Sequence, residues 1–261
     1  MRLQLIRNAT LKLTYAQQTI LIDPDLAGKH TRPSFTGRSA NPMVDLPLPL
    51  AAVVAGVRLV IVSHLHRDHF DAVEALPAAL PMLCQPGDEA RIAERGFTQV
   101  QPLADELLWN GIRLNRTEGQ HGTGAVGRLM GAVSGFVFRA PGEPTLYWAG
   151  DTVDCPAVAS TIAHFHPDII VTHSCGATWP DDTGIRQLIV MDAAQTIAVC
   201  RAAPASIIVA THMEALDHAT ISRAELRAAA SAAGIAGEQL LIPADGQELD
   251  FQAKAPDAPT Q

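Results

Sequence analysis

The run Ser63-His64-Leu65-His66-Arg67-Asp68-His69 constrains this chain more than any other stretch. It follows directly on Leu59-Val60-Ile61-Val62, an apolar run of buried-strand type, so three imidazoles and a carboxylate gather within six residues at a strand's end. His64 and His66 are two apart, and in extended backbone their side chains point the same way. Asp68 and His69 come where the chain leaves the sheet and so approach from another direction. Imidazole and carboxylate together suit zinc, manganese or iron, and donors fixed from two directions can hold two ions. A histidine-rich surface turn is the plain alternative, and the density of donors behind a buried strand argues against it.

The rest of the chain can house such a site. Its 261 residues, 48% of them apolar, suffice for one large core, and nothing forces a split. The N-terminal segment alternates: Leu3 and Leu5, then Leu11, Leu13 and Tyr15, then Ile20-Leu21-Ile22, read as short strands separated by turns. Residues 26–49 carry Pro33, Pro42, Pro47, Pro49 and two glycines with little periodicity, a loop long enough to serve a pocket or an interface. Residues 72–80 and 89–95 read as helices, the second stopped by Gly96. Strand-like pieces follow at 113–115, 135–138 and 145–148, with continuous apolar runs at 168–172 and 206–210 and a helix over 192–202 between them. Ser222-Arg223-Ala224-Glu225 is a capping box that opens a helix closed by Gly234, and Leu240-Leu241-Ile242 gives a last strand. Strands that meander first and alternate with helices later predict two mixed sheets packed together with helices outside, an α/β (α+β) arrangement over residues 1–250, with 251–261 a flexible tail.

A cluster of this kind needs partners from elsewhere. His121 in a glycine-rich turn, Asp151 in Ala149-Gly150-Asp151-Thr152, and His212 after Val209-Ala210-Thr211 stand at strand ends or sharp turns. Each alone is weak; in the order HxHxDH, His, Asp, His they are strong.

On these residues the chain resembles the metallo-β-lactamase-fold hydrolase superfamily, with a counterpart here for all five of its ligand-bearing motifs. Leu21-Ile22-Asp23-Pro24 and the short first strands resemble the branch that includes L-ascorbate-6-phosphate lactonase. The resemblance implies a four-layer αβ/βα sandwich with the site at one edge between the sheets. It implies that His64, His66 and His121 hold one divalent ion, that Asp68, His69 and His212 hold a second, and that Asp151 bridges them. Zinc is the first expectation, with manganese or iron as alternatives. A hydroxide between two cations exists near neutral pH, because coordination lowers the pKa of bound water to about 7. Asp68 orients it and handles its proton in many relatives. Asp23 and Asp71 are candidates to fix the histidine tautomers from behind.

Weaker signals complete the reading. Gly122-Thr123-Gly124-Ala125-Val126-Gly127 matches GxGxxG, but a dinucleotide fingerprint needs a following helix and a strand-like run is expected here instead. His173 ends a buried strand and is expected to line the pocket; His218 is expected to hydrogen-bond substrate or act as a general acid. Cys175 is set aside as a ligand because the set is already full, and His164 and His166 read as loop residues. Arg32, Arg38, Arg67 and Arg128 are candidates for an anionic substrate. The four cysteines show no pairing motif and read as buried thiols in a reducing compartment. A formal charge of −8 argues against nucleic acid, and the longest apolar stretch, 46–62, is interrupted by Pro47, Pro49, Gly56 and Arg58, so no membrane span is expected. The N-terminus has no apolar core of a signal peptide, which leaves a cytoplasmic location. The leading expectation is hydrolysis of a small ester or lactone, phosphorylated in one variant of the idea, by a monomer or homo-oligomer. The alternatives are a phosphodiesterase and a non-hydrolytic metal-binding module.

Overall fold

The structure, a computed structural model, describes residues 1–252. Strands β1 (Arg2–Arg7), β2 (Thr10–Tyr15), β3 (Gln18–Ile22), β4 (Leu59–Val62), β5 (Met82–Cys84) and β6 (Val100–Pro102) build the first sheet. Strands β7 (Glu106–Trp109), β8 (Ile112–Glu118), β9 (Ser134–Arg139), β10 (Leu146–Trp148) and β11 (Ile169–His173) lie in the second. A separate hairpin follows, β12 (Thr178–Pro180) with β13 (Arg186–Leu188). Then β14 (Ile207–Thr211) and β15 (Leu240–Leu241) complete the second sheet, and β16 (Glu248–Asp250) returns to the first beside β1. The orders are β16-β1-β2-β3-β4-β5-β6 and β15-β14-β11-β10-β9-β8-β7. Both sheets are mixed: β3 to β6 run parallel, as do β10, β11, β14 and β15, while the remaining pairs are antiparallel.

Alternation of side chains across each strand produces the layers. In β4, Leu59 and Ile61 join the core between the sheets with Leu3, Leu5 and Ile22, facing Phe136, Trp148 and Val171 of the second sheet. Val60 and Val62 point the other way, against Val53 of α1 (Leu50–Val54) and Ile92 of α2 (Glu89–Ala93). Ile170, Ile208 and Ala210 leave the second sheet on its outer side, toward α4 (Pro156–Phe165), α5 (Ala193–Ala202) and α6 (Arg223–Ala232), reached after the short α3 (Gly124–Met130). Strands covered on both faces read as unbroken apolar runs, and each buried Leu, Ile or Phe is worth about 1.5–3 kcal/mol. The α6 capping box forms: Ser222 accepts from the Glu225 N–H while the Glu225 carboxylate accepts from the Ser222 N–H.

Several expectations need correction. Residues 72–80 form one 3₁₀ turn, Val73–Ala75, because Leu76 precedes Pro77 and takes extended backbone at ψ 136°. The GxGxxG segment is followed by a helix, α3, not by a strand. Residues 156–165 are the helix α4, so His164 is helical and His166 caps it in the left-handed region. Phe251 is buried in the inter-sheet core and its N–H donates to the Met1 carbonyl, so the expected tail does not begin there. Residues 253–261 lie outside the described residues. Among the described residues no helix is long and apolar enough to cross a membrane.

Candidate metal centre

The site assembles at one edge because strands of like direction end there. Asp23 follows β3 and Ser63-His64 follow β4, neighbours in register at Ile22 and Ile61. On the second sheet Asp151 follows β10, His173 ends β11 and His212 follows β14, three adjacent parallel strands. His121 follows β8, which runs the same way as β10 because each is antiparallel to β9. The donors thus come from both sheets and meet across the gap. Asp151 reaches in on Gly150, whose φ of +70° and closeness to the Trp148 ring, 2.7 Å from a built Cβ, admit only glycine without strain.

His64, His69, His121 and His212 are each held from behind by one ring nitrogen, whereas His66 Nδ1 faces His121 Nε2 at 3.3 Å. Ser63 donates its hydroxyl to Asp23 Oδ2 (2.7 Å), so its oxygen accepts from His64 Nδ1 (2.9 Å). His69 Nδ1 donates to the same Asp23 Oδ2 (2.7 Å), and His121 Nδ1 to the Ile189 carbonyl (2.8 Å). His212 Nδ1 lies 3.5 Å from Cys175 Sγ, and the His212 N–H donates to the carbonyl of Asn8, whose side chain donates to the Asp68 carbonyl. With Nδ1 carrying the proton, a neutral ring at His64, His69 or His121 directs its Nε2 lone pair inward. His64 Nε2 is buried with no hydrogen-bond partner. His69 Nε2 faces Asp151 Oδ2 at 3.1 Å and His121 Nε2 faces it at 3.5 Å, while His212 Nε2 faces Asp68 Oδ2 at 3.2 Å. Lone pairs and carboxylate oxygens converging in a buried space need positive charge between them. Divalent cations of the zinc type fit that donor set, and outer partners that fix the tautomer are what such ligands carry.

The same acceptors also pull on protons. Burial disfavours charge on His69 and His212, yet Asp151 above all, with Asp68 helping at both and Asp23 at His69, raises both well above the ordinary imidazole value. Burial likewise opposes ionisation of Asp68 and Asp151, and His69 with His212 still holds both well below the usual carboxylate range. Burial, reinforced by neighbouring imidazoles, lowers His64 and His121, which favours their neutral form.

The seven expected ligands come together. His64, His66 and His121 form one group of convergent donors, and His69, Asp151, His173 and His212 form another. Asp68 lies beside the second through His69 (3.5 Å) and His212. His173 departs from expectation: it is fully buried behind Asp151 and is not among the cavity walls. His218 does line the cavity, its ring edge-on to Phe35 at 5.0 Å and 6.1 Å from His212. Asp23 serves as an outer partner; Asp71 does not, and instead takes Arg32 (3.1 Å) and Arg67 (3.3 Å). Three of the four arginines are engaged by the protein itself, although Arg32 and Arg67 do line the cavity. Arg32 forks onto Asp25 at 2.7 and 2.8 Å, Arg67 pairs with Asp71, Arg38 bonds the Asp217 and Ala219 carbonyls, and Arg128 lies exposed on α3. Ser63, Asn8 and Cys175 are supporting residues that sequence reading did not find, since each owes its role to a neighbour far along the chain. All four cysteines are buried and unpaired.

Above Asp68, His66, His121 and Asp151 opens a cavity of about 440 Å³ with Phe35, Leu65, Met130, Trp179 and Ile189 in its walls. One carboxylate holds its rim. Asp217 accepts from the Phe35 N–H (2.9 Å), the Thr36 N–H (3.0 Å) and hydroxyl (2.6 Å), Asn41 Nδ2 (2.8 Å) and the Ser34 hydroxyl, pinning residues 34–41 to the segment that follows His212. Another cavity, of about 470 Å³ beside α6 and β15, shares no residue with this one and holds none of the convergent donors.

Fold and motif order together define a β-lactamase superfamily protein, and the chain belongs to that superfamily: the profile of its β-lactamase superfamily domain matches residues 18–213. Among its relatives, the UPF0173 protein YddR of Bacillus subtilis is 39% identical over 96% of this chain and 100% of that one. A crystal structure of a possible metal-dependent hydrolase from Veillonella parvula is 34% identical, with TM-score 0.90 and coverage of 96% and 99%. An isothiocyanate hydrolase from Delia radicum gut bacteria is 36% identical, with TM-score 0.89 and coverage of 97% and 100%.

Proposed function

We propose that this chain is a metal-dependent hydrolase in which His64, His66, Asp68, His69, His121, Asp151 and His212 hold two divalent ions, zinc foremost, and that it adds water to an electrophilic carbon of a small apolar substrate. The observation that carries this is the convergence of imidazole ring nitrogens and two carboxylates on the floor of an apolar cavity. Bound ions would supply water acidified toward neutral pH and a Lewis acid for the polarised bond. Asp68, 7% exposed and at the cavity floor, orients the attacking water and receives its proton. His218 reaches the substrate's heteroatom from the wall, and Phe35, Trp179 and Met130 exclude bulk water around the apolar part.

An isothiocyanate, R–N=C=S, suits these walls: it is uncharged, and water addition at its central carbon releases an amine and carbonyl sulfide. The similarity to an isothiocyanate hydrolase over nearly the whole chain supports this choice. A small ester or lactone presents the same kind of carbon and is the second reading. A phosphorylated substrate is less supported, since Arg32 is committed to Asp25 and Asp71. The reading includes a cytoplasmic setting, supported by four buried thiols that stay unpaired.

The test is metal content together with a substrate panel of allyl and benzyl isothiocyanates, γ-lactones, p-nitrophenyl acetate and bis-p-nitrophenyl phosphate. Two ions per chain and chelator-sensitive turnover of isothiocyanates are expected. Turnover of the phosphodiester alone would overturn the substrate class, and full activity in a His66→Ala, Asp151→Ala double variant would overturn the metal mechanism.

A further inference from the structure

The two oxygens of Asp151 have different surroundings. Oδ2 faces His69 Nε2 at 3.1 Å and His121 Nε2 at 3.5 Å, on the side where donors converge. Oδ1 is turned to His173, whose Nδ1 lies 2.5 Å away, with His212 Nε2 next at 3.7 Å. A carboxylate at the end of a short side chain rotates broadly about its last torsion, so an oxygen that is to face both groups of donors has to be aimed by something else. Gly150 sets the backbone; the carboxylate plane needs a second anchor.

We infer that His173 is a positioning residue that donates its Nδ1–H to Asp151 Oδ1 and thereby presents Oδ2 to both groups of donors. The inference rests on the two-ion reading of the site. His173 is placed for this by topology: it ends β11, between β10, which leads to Asp151, and β14, which leads to His212. Its ring stacks tilted against His212 at 4.9 Å and His69 at 5.8 Å, and the edge of Trp148 closes its far side at 5.1 Å and 86°. The residue is completely buried and reaches no cavity, so contact with substrate is not its role. Its Nε2 is buried without a partner. An imidazole that leaves one nitrogen unsatisfied in the core costs stability. The charge-assisted bond from the other nitrogen to Asp151 offsets that cost. His173 could instead be a ligand itself, since its donor atom lies within 4.8 Å of those of His69, Asp151 and His212.

Asparagine and leucine separate the two roles. Asn at 173 offers an N–H where Nδ1 stands and is a poor ligand for zinc, whereas Leu offers neither. Zinc stoichiometry and affinity are measured by dialysis and chelator competition, and the visible spectrum of the cobalt-substituted protein reports coordination. His173→Leu is expected to bind one of its two ions about 10–100-fold more weakly, with a shifted cobalt spectrum, and His173→Asn to recover most of both. Equal losses in the two variants would overturn the inference in favour of His173 as a ligand. Wild-type affinity and spectrum in His173→Leu would overturn it outright. A wild-type protein that takes up no ion would overturn this and the proposed function together. Should His173→Leu fail to fold, His173→Ala replaces it in the same comparison.

Discussion

Replacing Asp217 by alanine removes one carboxylate and strips five donors of their acceptor at once: the Ser34 hydroxyl, the Phe35 and Thr36 N–H groups, the Thr36 hydroxyl and Asn41 Nδ2. A hydrogen bond to a charged group contributes about 1.5–3 kcal/mol by substitution, but these five are not additive. Four of the donors sit on residues 34–36, which can swing out and meet water, while Asn41 is fully buried and cannot. A net loss of about 3 kcal/mol follows. With an unfolding entropy of about 2.1 cal/mol/K per residue, 261 residues give about 0.5 kcal/mol/K, so Tm falls by about 6 °C. The same donors hold the Asp217 carboxyl well below its ordinary range against the opposing effect of burial. A depressed folded-state pKa gives stability that is complete above the unfolded value, about 3.9, and drains away as pH falls below it. The wild-type advantage over Asp217→Ala should therefore be constant from about pH 5 to 8 and shrink below about pH 4. Urea unfolding at a series of pH values measures it, and KM should rise as Phe35 loses its anchor. Equal stability at pH 7, or a gap that persists undiminished at pH 3, would refute the reasoning.

Three further outcomes are expected. Gly150→Ala should cost about 2–4 kcal/mol, because its Cβ would stand 2.7 Å from the Trp148 ring and 3.0 Å from the Ser134 carbonyl; thermal unfolding with zinc titration reads both the stability and the displaced Asp151. Asp23→Asn should weaken zinc affinity by about 10–100-fold, measured by chelator competition, since one carboxylate orients both His69 and, through Ser63, His64. Phe35→Ala, at a residue 38% exposed, removes about 1 kcal/mol of apolar contact, so KM for an apolar substrate should rise about fivefold with kcat nearly unchanged in steady-state assays.

What could be read from residue order was what depends on short range. The buried strands β4, β11 and β14 declare themselves as apolar runs, and the donors behind them follow from strand ends. Apolar spacing alone is not enough: over residues 72–80 it suits a helix, but Pro77 stops one. The hairpin of β12 and β13 escaped notice because three-residue strands carry almost no periodicity, yet it brings Trp179 to the cavity and places Ile189 to accept from His121. Asp151, His173 and His212 carry one and the same signal, a polar residue after an apolar run. Only the strand order β10-β11-β14 tells that the middle one stands behind the first. Asp23 is similar, since its hold on Ser63 and His69 comes from the parallel register of β3 and β4 across some 40 residues of intervening chain.

Drawing the donors from both sheets has a consequence for how the molecule matures. The stretch from 64 to 69 is made early, but His212 emerges only after four-fifths of the chain, and neither sheet alone offers a full set. A nascent first half therefore carries donors only as far as His121, and the group that needs Asp151 and His212 is still incomplete. On the proposed reading, that group would be loaded only after the sheets have docked, and a bound ion would then rivet the two sheets to each other. Chelation would then do more than silence chemistry: it would loosen the seam between the sheets, and protection of β4 and β14 amides against hydrogen exchange would fall together.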